Sequence, residues 1–364
     1  MRIVFILLEA LLFFSCHHRQ STELLKIKPI DELRPVIPIS DFADSIAFIQ
    51  LDNRLLLSSY GNSCFTDSFF VVSVAEGILK YSYTGEFLMK IGEIGQGPME
   101  YNRNKLMAID TRNKRIRVYS IPEKVMIDYS YDGVFLNRVH YDLPDDTYGY
   151  PTMMRVLANK CYFFYPSMSG LSDPYYWVIN DTCGQSLEIK QKHGNPVLKR
   201  GYACGTYCTS SSDNSLLYYN LFNDTIFRFT EQGGMPAFLW EQGKHRISVS
   251  TEDISEEMMA FTMFAETKRF LFFQWNNATF KSSSSFGFYD KRKQIFMGTK
   301  KLRDDLNTQI SIPLRWMFSY SQKDKKEYMI GKIEPYELPE EILQRENIDS
   351  EGNLVMIMVR LKDK

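Results

Sequence analysis

Short runs of apolar and β-branched residues, arranged as strand, turn and strand, recur along this chain at intervals of roughly 40 to 55 residues. Six are read: 68–92, 105–141, 153–181, 215–243, 269–299, and a discontinuous last one from 314–331 to 352–363. Turn residues punctuate them, including Gly77, Thr84-Gly85, Arg112-Asn113, Asp132-Gly133 and Asp290-Lys291. The 22 Tyr and 26 Phe sit among Val, Ile and Thr, which suits pleated strands. Strand-period repeats of this length predict an all-β fold, a six-bladed β-propeller in which each sheet buries both faces against its neighbours. A large β-sandwich or two separate β domains are the competing architectures. The stretch "SIAFIQLD" (45–52) precedes the first full repeat and is placed to pair with the last one, closing the ring and removing exposed edges.

Helical pattern is confined to short insertions in loops. In 250–267, Ser250 and Asp253 form a capping pattern, and Ile254, Met258, Phe261 and Phe264 fall near one helical face. In 338–347, Pro339 occupies a first-turn position where its missing N–H costs nothing. Such helices either fill the loop layer or cover the central cavity.

The 43 Lys and Arg nearly balance 44 Asp and Glu, so no nucleic-acid footprint exists. The first sixteen residues carry Arg2 and an apolar run shorter than the roughly 20 residues that span a bilayer, so they read as a targeting segment. Its end, Leu12-Phe-Phe-Ser-Cys16, resembles a bacterial lipoprotein signal, and the resemblance implies acylation at Cys16. The expected organisation is a signal at 1–16, a tether at 17–44 and the propeller at 45–363. The implied location is the outer membrane of a Gram-negative cell, periplasmic face rather than cell surface, with the N-terminal lipid as the membrane contact. Five cysteines remain. Cys161 and Cys183 flank a hairpin whose turn lies near the midpoint, so they either form a disulfide or remain two thiols. No histidine stands at zinc-finger spacing from Cys204 and Cys208, and neither a metal site nor a cofactor is expected.

The stretch "GEIGQGPMEY" (92–101) has the glycine content of a phosphate loop but not its logic. No helix start follows Gly97, Pro98 lacks a donor, and the spacing of Gly92, Gly95 and Gly97 does not match the dinucleotide pattern. A loop leaving one blade for the next accounts for it, with Gly95 and Gly97 in backbone angles closed to other residues and Pro98 directing the exit. The same stretch resembles the Gly-x-Gly-Pro-x-Glu-Tyr signature of six-bladed β-propeller lipoproteins of Bacteroidota, akin to NHL and TolB-like propellers. "SIAFIQLD", "YYNLFNDTIFRF" (219–230) and "DDLN" (304–307) agree with it. The resemblance covers nearly the whole mature chain and implies an envelope propeller rather than a particular activity.

No Gly-x-Ser-x-Gly elbow, His-Glu-x-x-His helix or EF-hand loop is present. Candidate binding residues are Gln96, Glu100 and Tyr101 in the glycine-rich loop and the Asp304-Asp305 pair. Asp110 and Asp224 read as turn formers. Two functions follow: a module that binds a peptide, glycan or partner protein on one face of the ring, or a divalent-metal hydrolase or lyase built on axial carboxylates. The second requires at least three of these carboxylates to converge.

Overall fold

In the computed structural model, the chain's early and late ends are joined in one sheet. The structure describes residues 24–28, 32–58, 60–144, 149–168, 175–192, 203–204, 206–210, 214–279, 284–312, 319–323 and 325–363. Strand Ala43–Gln50 pairs antiparallel with Val355–Leu361, from Ala43 opposite Leu361 to Gln50 opposite Val355. This is the ring closure expected of "SIAFIQLD". It ties the first strand of the propeller to the last by main-chain hydrogen bonds.

The fold is an all-β propeller. In chain order, blade 1 comprises Ser63–Phe65, Phe69–Val74, Gly77–Ser82 and Phe87–Lys90. Blade 2 is Lys105–Asp110, Arg115–Ser120, Val125–Ser130 and Phe135–His140. Blade 3 is Met153–Leu157, Lys160–Phe164, Tyr175–Asp181 and Ser186–Gln191. Blade 4 is Thr206–Ser210, Leu216–Asn220, Thr225–Thr230 and Gly233–Trp240, with Leu25–Ile27 added at its edge. Blade 5 is Met259–Glu266, Phe270–Asn277, Ser285–Asp290 and Ile295–Thr299. Blade 6 is small: Leu302–Arg303 and Ser311–Ile312 joined by Ile37–Pro38. Blade 7 is Ser319–Lys323, Lys326–Ile333 and Val355–Leu361, completed by Ala43–Gln50.

The expected count of six blades is therefore corrected to seven sheets of three or more strands among the described residues. Blade 6 escaped the repeat pattern because each of its strands is two residues long and one comes from the far N-terminal side. It wedges Ile37, Leu302 and Ile312 into the core shared by blades 5 and 7, whose innermost strands also touch directly.

The segment expected as a tether, 17–44, is described only in part. Its described part is a strap. Leu25–Ile27 runs parallel to Phe238–Trp240, Arg34 bridges to Thr299 of blade 5, and Ile37–Pro38 joins blade 6. Ile27, Ile37, Ile39 and Phe42 are fully buried, so hydrophobic burial holds the segment along the outside of blades 4 to 7.

Period-two alternation explains how blades pack. On the innermost strand of blade 2, Met107 joins Phe69, Val71 and Ile78 of blade 1, while Leu106 and Ala108 join Met154, Phe163 and Val178 of blade 3. The helix expected at 250–267 is instead the innermost strand of blade 5, from Met259. A bulge between Phe261 and Met263 puts Phe261 and Phe264 on one side, in the core shared with blade 4. A strand carrying such a bulge mimics the three-residue spacing of a helix. The helix expected at 338–347 is present over Glu340–Arg345, with Pro339 as its N-cap and Ile342 and Leu343 buried.

One turn is repeated in three blades. Ser82, Ser130 and Asp181 each open a hairpin whose fourth residue is Gly85, Gly133 or Gly184, at φ +84°, +75° and +89°. In each, the opening side chain accepts from two following backbone N–H groups: Thr84 and Glu86, Asp132 and Val134, Cys183 and Gln185. The turns also lock neighbouring blades. Asp52 N donates to Gly85 O at 2.9 Å and Asp142 N to Gly184 O at 2.8 Å. A Cβ on Gly85 would lie 2.2 Å from Gln50 O, and one on Gly184 2.1 Å from His140 O.

Gly85→Ala should therefore destabilise the protein by about 2 kcal/mol or more, combining left-handed strain with a backbone clash at the ring closure. Urea unfolding of variant and parent checks this, and coincident midpoints would refute it.

Candidate functional site

The glycine-rich loop connects the outermost strand of blade 1 to the innermost strand of blade 2. Its chain reversal is closed by Glu100. The Glu100 carboxylate accepts from Gly97 N at 2.8 Å, and Glu100 N donates to Gly97 O at 3.1 Å. Tyr101 N donates to Glu93 O at 3.0 Å, and Tyr101 O accepts from Gly95 N at 3.1 Å. Tyr101 is fully buried: its hydroxyl donates to Ile91 O at 2.9 Å and accepts from Ile78 N at 3.0 Å. Burial pushes its phenol well above the usual range. Blade 2 grips the loop from outside, through Arg138 to the carbonyls of Gly97 and Glu100 and Tyr129 Oη to Met99 O.

The expected reason for two of the glycines is corrected. Neither Gly95 nor Gly97 lies in the left-handed region; Gly92 does, at φ +59° against the ring of Tyr129. Gly95 and Gly97 are needed for room, since Cβ atoms there would lie 1.9 Å from Glu100 Oε2 and 3.0 Å from Glu100 Cδ. The loop is thus a carboxylate-closed joint, and of its candidate residues only Gln96 is exposed at the tip.

The other candidates lie elsewhere and are occupied locally. Asp304 is fully buried and accepts from the backbone N–H of Leu306, Asn307 and Thr308 and from Thr308 Oγ1. Asp305 accepts from Ser40 N at 3.0 Å and Ser40 Oγ at 2.5 Å, which fastens the strap. Burial opposes its charge, but these bonds hold the carboxyl below its usual value. Asp110 accepts from Asn113 N and Nδ2, as a turn former does. Asp224 faces Arg246 at 3.1 Å, and burial nevertheless raises its carboxyl. Among the described residues no three His, Cys, Asp or Glu side chains gather as a metal-binding group.

Of the two alternatives for Cys161 and Cys183, the structure has two free thiols. Cys161 lies opposite Asn180 in the sheet, and Cys183 is exposed in the turn beyond it. Cys16 lies outside the described residues, as do the side chains of Cys204 and Cys208.

Sequence reasoning missed a buried ion pair between two strands of blade 2. Arg117 and Asp128 are each 1% exposed and directly opposed in blade 2. Arg117 Nε donates to Asp128 Oδ1 at 2.8 Å, Nη2 to Oδ2 at 3.2 Å, and Nη1 to Cys161 Sγ of blade 3 at 3.0 Å. Burial works against the guanidinium, yet Cys161, Asp128 and Tyr141 together keep it more firmly protonated than usual. The available signal was charge at alternate positions of two adjoining apolar strands, "RIRVYS" and "VMIDYS".

The loop face is apolar at its rim. Leu56, Met99 and Tyr150 are exposed in loops running from an outermost to the next innermost strand. Tyr336, 75% exposed, lies between the second and third strands of blade 7. Strand direction alternates through each blade, so these connections open on the same face.

Two measurements check this account. Gly95→Ala should cost about 1 kcal/mol by expelling the Glu100 carboxylate, and almost nothing in a Glu100→Ala background; additive costs in the double-mutant cycle would refute the carboxylate joint. Arg117→Leu should cost about 3–5 kcal/mol by stranding Asp128, with much of that recovered in Arg117→Leu/Asp128→Leu. Equal losses in the single and double variants would show that the charge pair is not the cause.

The fold is shared with a solved structure. A candidate exported protein from Bacteroides fragilis NCTC 9343 superposes with a TM-score of 0.69 at 16% identity, covering 93% of this chain and 99% of that one. Virginiamycin B lyase from Staphylococcus aureus gives a TM-score of 0.46 at 9% identity, covering 86% and 98%. A protein of unknown function from Bacteroides thetaiotaomicron VPI-5482 gives 0.46 at 11%, covering 87% and 76%. No curated protein matches the chain. A family model described as a domain of unknown function, DUF4934, matches residues 26–360, and the chain belongs to that family.

Proposed function

We propose that this chain is a lipid-anchored propeller of the bacterial cell envelope that binds a peptide, glycan or partner protein through its loop face. The observation that carries this reading is the distribution of side chains on that face. Apolar groups at Leu56, Met99, Tyr150 and Tyr336 belong to several blades, whereas Asp304 and Asp305 spend both carboxylate oxygens, and Glu100 one of its two, on the protein's own backbone and hydroxyls. A broad surface with scattered contacts suits recognition of a partner by several loops. Carboxylates already saturated by local hydrogen bonds have little capacity left for a metal or a substrate proton.

Anchoring rests on the Ser15-Cys16 end of the targeting segment. Acylation at Cys16 places the propeller at the outer membrane, on its periplasmic face.

A photo-crosslinking residue at Met99 or Tyr336, in cells that make the protein, should yield discrete adducts that the same probe at Leu88 or Ile295 on the rim does not. Adducts from the rim alone, or equally from both surfaces, would overturn the loop-face reading. Cys16→Ala, correctly processed, should move to the soluble fraction; retention in the membrane pellet would overturn anchoring.

A further inference from the structure

We propose that the propeller is held edge-on to the lipid bilayer, with the rim of blades 3 and 4 as its membrane-facing surface. This rests on acylation at Cys16. The strap supplies the geometry: Leu25–Ile27 is paired to the edge of blade 4, and Ile27 is fully buried there, so the chain leaves the folded domain at one defined point. Nine residue steps separate Cys16 from Leu25. They reach at most about 30 Å in any conformation. A domain of this length is about 50 Å across, so the anchor cannot pass around it to the opposite rim.

The surface at that point has the matching chemistry. Strand Leu25–Ile27 covers only Phe238–Trp240 of the outermost strand of blade 4. Because the pairing is parallel, the strap's first described residue, Leu24, lies toward the Met235 end of that strand, and Met235 is 48% exposed. After Ile27 the strap proceeds to blades 5, 6 and 7, away from blade 3. Among the described residues nothing pairs with the free edge of the outermost strand of blade 3, where Leu187 and Ile189 are about half exposed and alternate with exposed Glu188 and Lys190. Apolar side chains alternating with charged ones of both signs suit the headgroup boundary of a membrane. Other outermost strands also expose apolar residues, such as Leu88 in blade 1, Leu136 in blade 2 and Ile295 in blade 5; the anchor's reach sets aside the first two, and the strap itself runs on to Thr299 along the blade 5 side. Held this way, the loop face stands roughly perpendicular to the bilayer and stays open to partners approaching along it.

Methionine oxidation footprinting tests the orientation. Met235 on the rim and Met99 on the loop face are 48% and 56% exposed, so in the soluble Cys16→Ala variant they should oxidise at similar rates. The acylated full chain on vesicles of phosphatidylethanolamine and phosphatidylglycerol should show Met235 protected at least about fivefold and Met99 unchanged. Protection of Met99 instead, equal protection of both, or protection of neither in protein that floats with the vesicles would overturn the edge-on arrangement. Failure to float at all would refute the anchoring on which it rests.

Discussion

The main-chain pairing of Ala43–Gln50 with Val355–Leu361 is the constraint on which the rest of the propeller depends. A ring of blades has no free edges only if its ends meet, and here they meet across some three hundred residues of chain. Contacts of such sequence separation form late and are expensive in loop-closure entropy. The molecule supports them with a second, independent fastening. Asp305 holds Ser40 from the blade 6 connection, and Asn353 Nδ2 donates to the carbonyls of Asp52 and Leu55 just beyond the closing strand. The N-terminal segment is thereby a structural member of four blades.

Between blades, apolar cores provide most of the cohesion and a few specific contacts fix the spacing. Alternate residues of a single strand serve different neighbours, as Met107 and Ala108 do, so each blade depends on both adjacent ones. The hairpin glycines Gly85 and Gly184 set how closely a turn can approach the previous blade's backbone. Blades 2 and 3 add a buried charge, Arg117 shared between Asp128 and Cys161. A buried ion pair contributes little net stability over an apolar pair, but once present it tolerates only a narrow arrangement of its partners.

The glycine-rich loop shows how a site-like sequence can serve architecture. Its glycines admit a carboxylate, its glutamate closes the reversal, and its tyrosine bonds two backbone groups of blade 1. The residues that looked most chemical are those whose hydrogen-bonding capacity the fold consumes. The large apolar groups left open to other molecules lie mainly in the loops between blades or on the outermost strands.

The all-β character, the strand-turn-strand repeats, the closing strand and the turn role of Asp110 were legible because each depends on local alternation or on a side chain bonding its own neighbourhood. Periodicity failed at 259–266, where a bulge imitates helical spacing, and at 302–312, where strands of two residues leave no pattern. It also had no means of assigning 25–42, whose apolar residues are too sparse to declare a strand until blades 4 to 7 offer edges to cover. The candidate residues were legible as polar groups in loops, but not their use. Whether Glu100 meets a ligand or Gly97 N, and whether Cys161 meets Cys183 or Arg117, depends on which distant backbone and side chains arrive alongside. Local chemistry is written in neighbouring residues; the partners of a buried polar group are chosen by tertiary packing, which alone decides what lies within hydrogen-bonding distance.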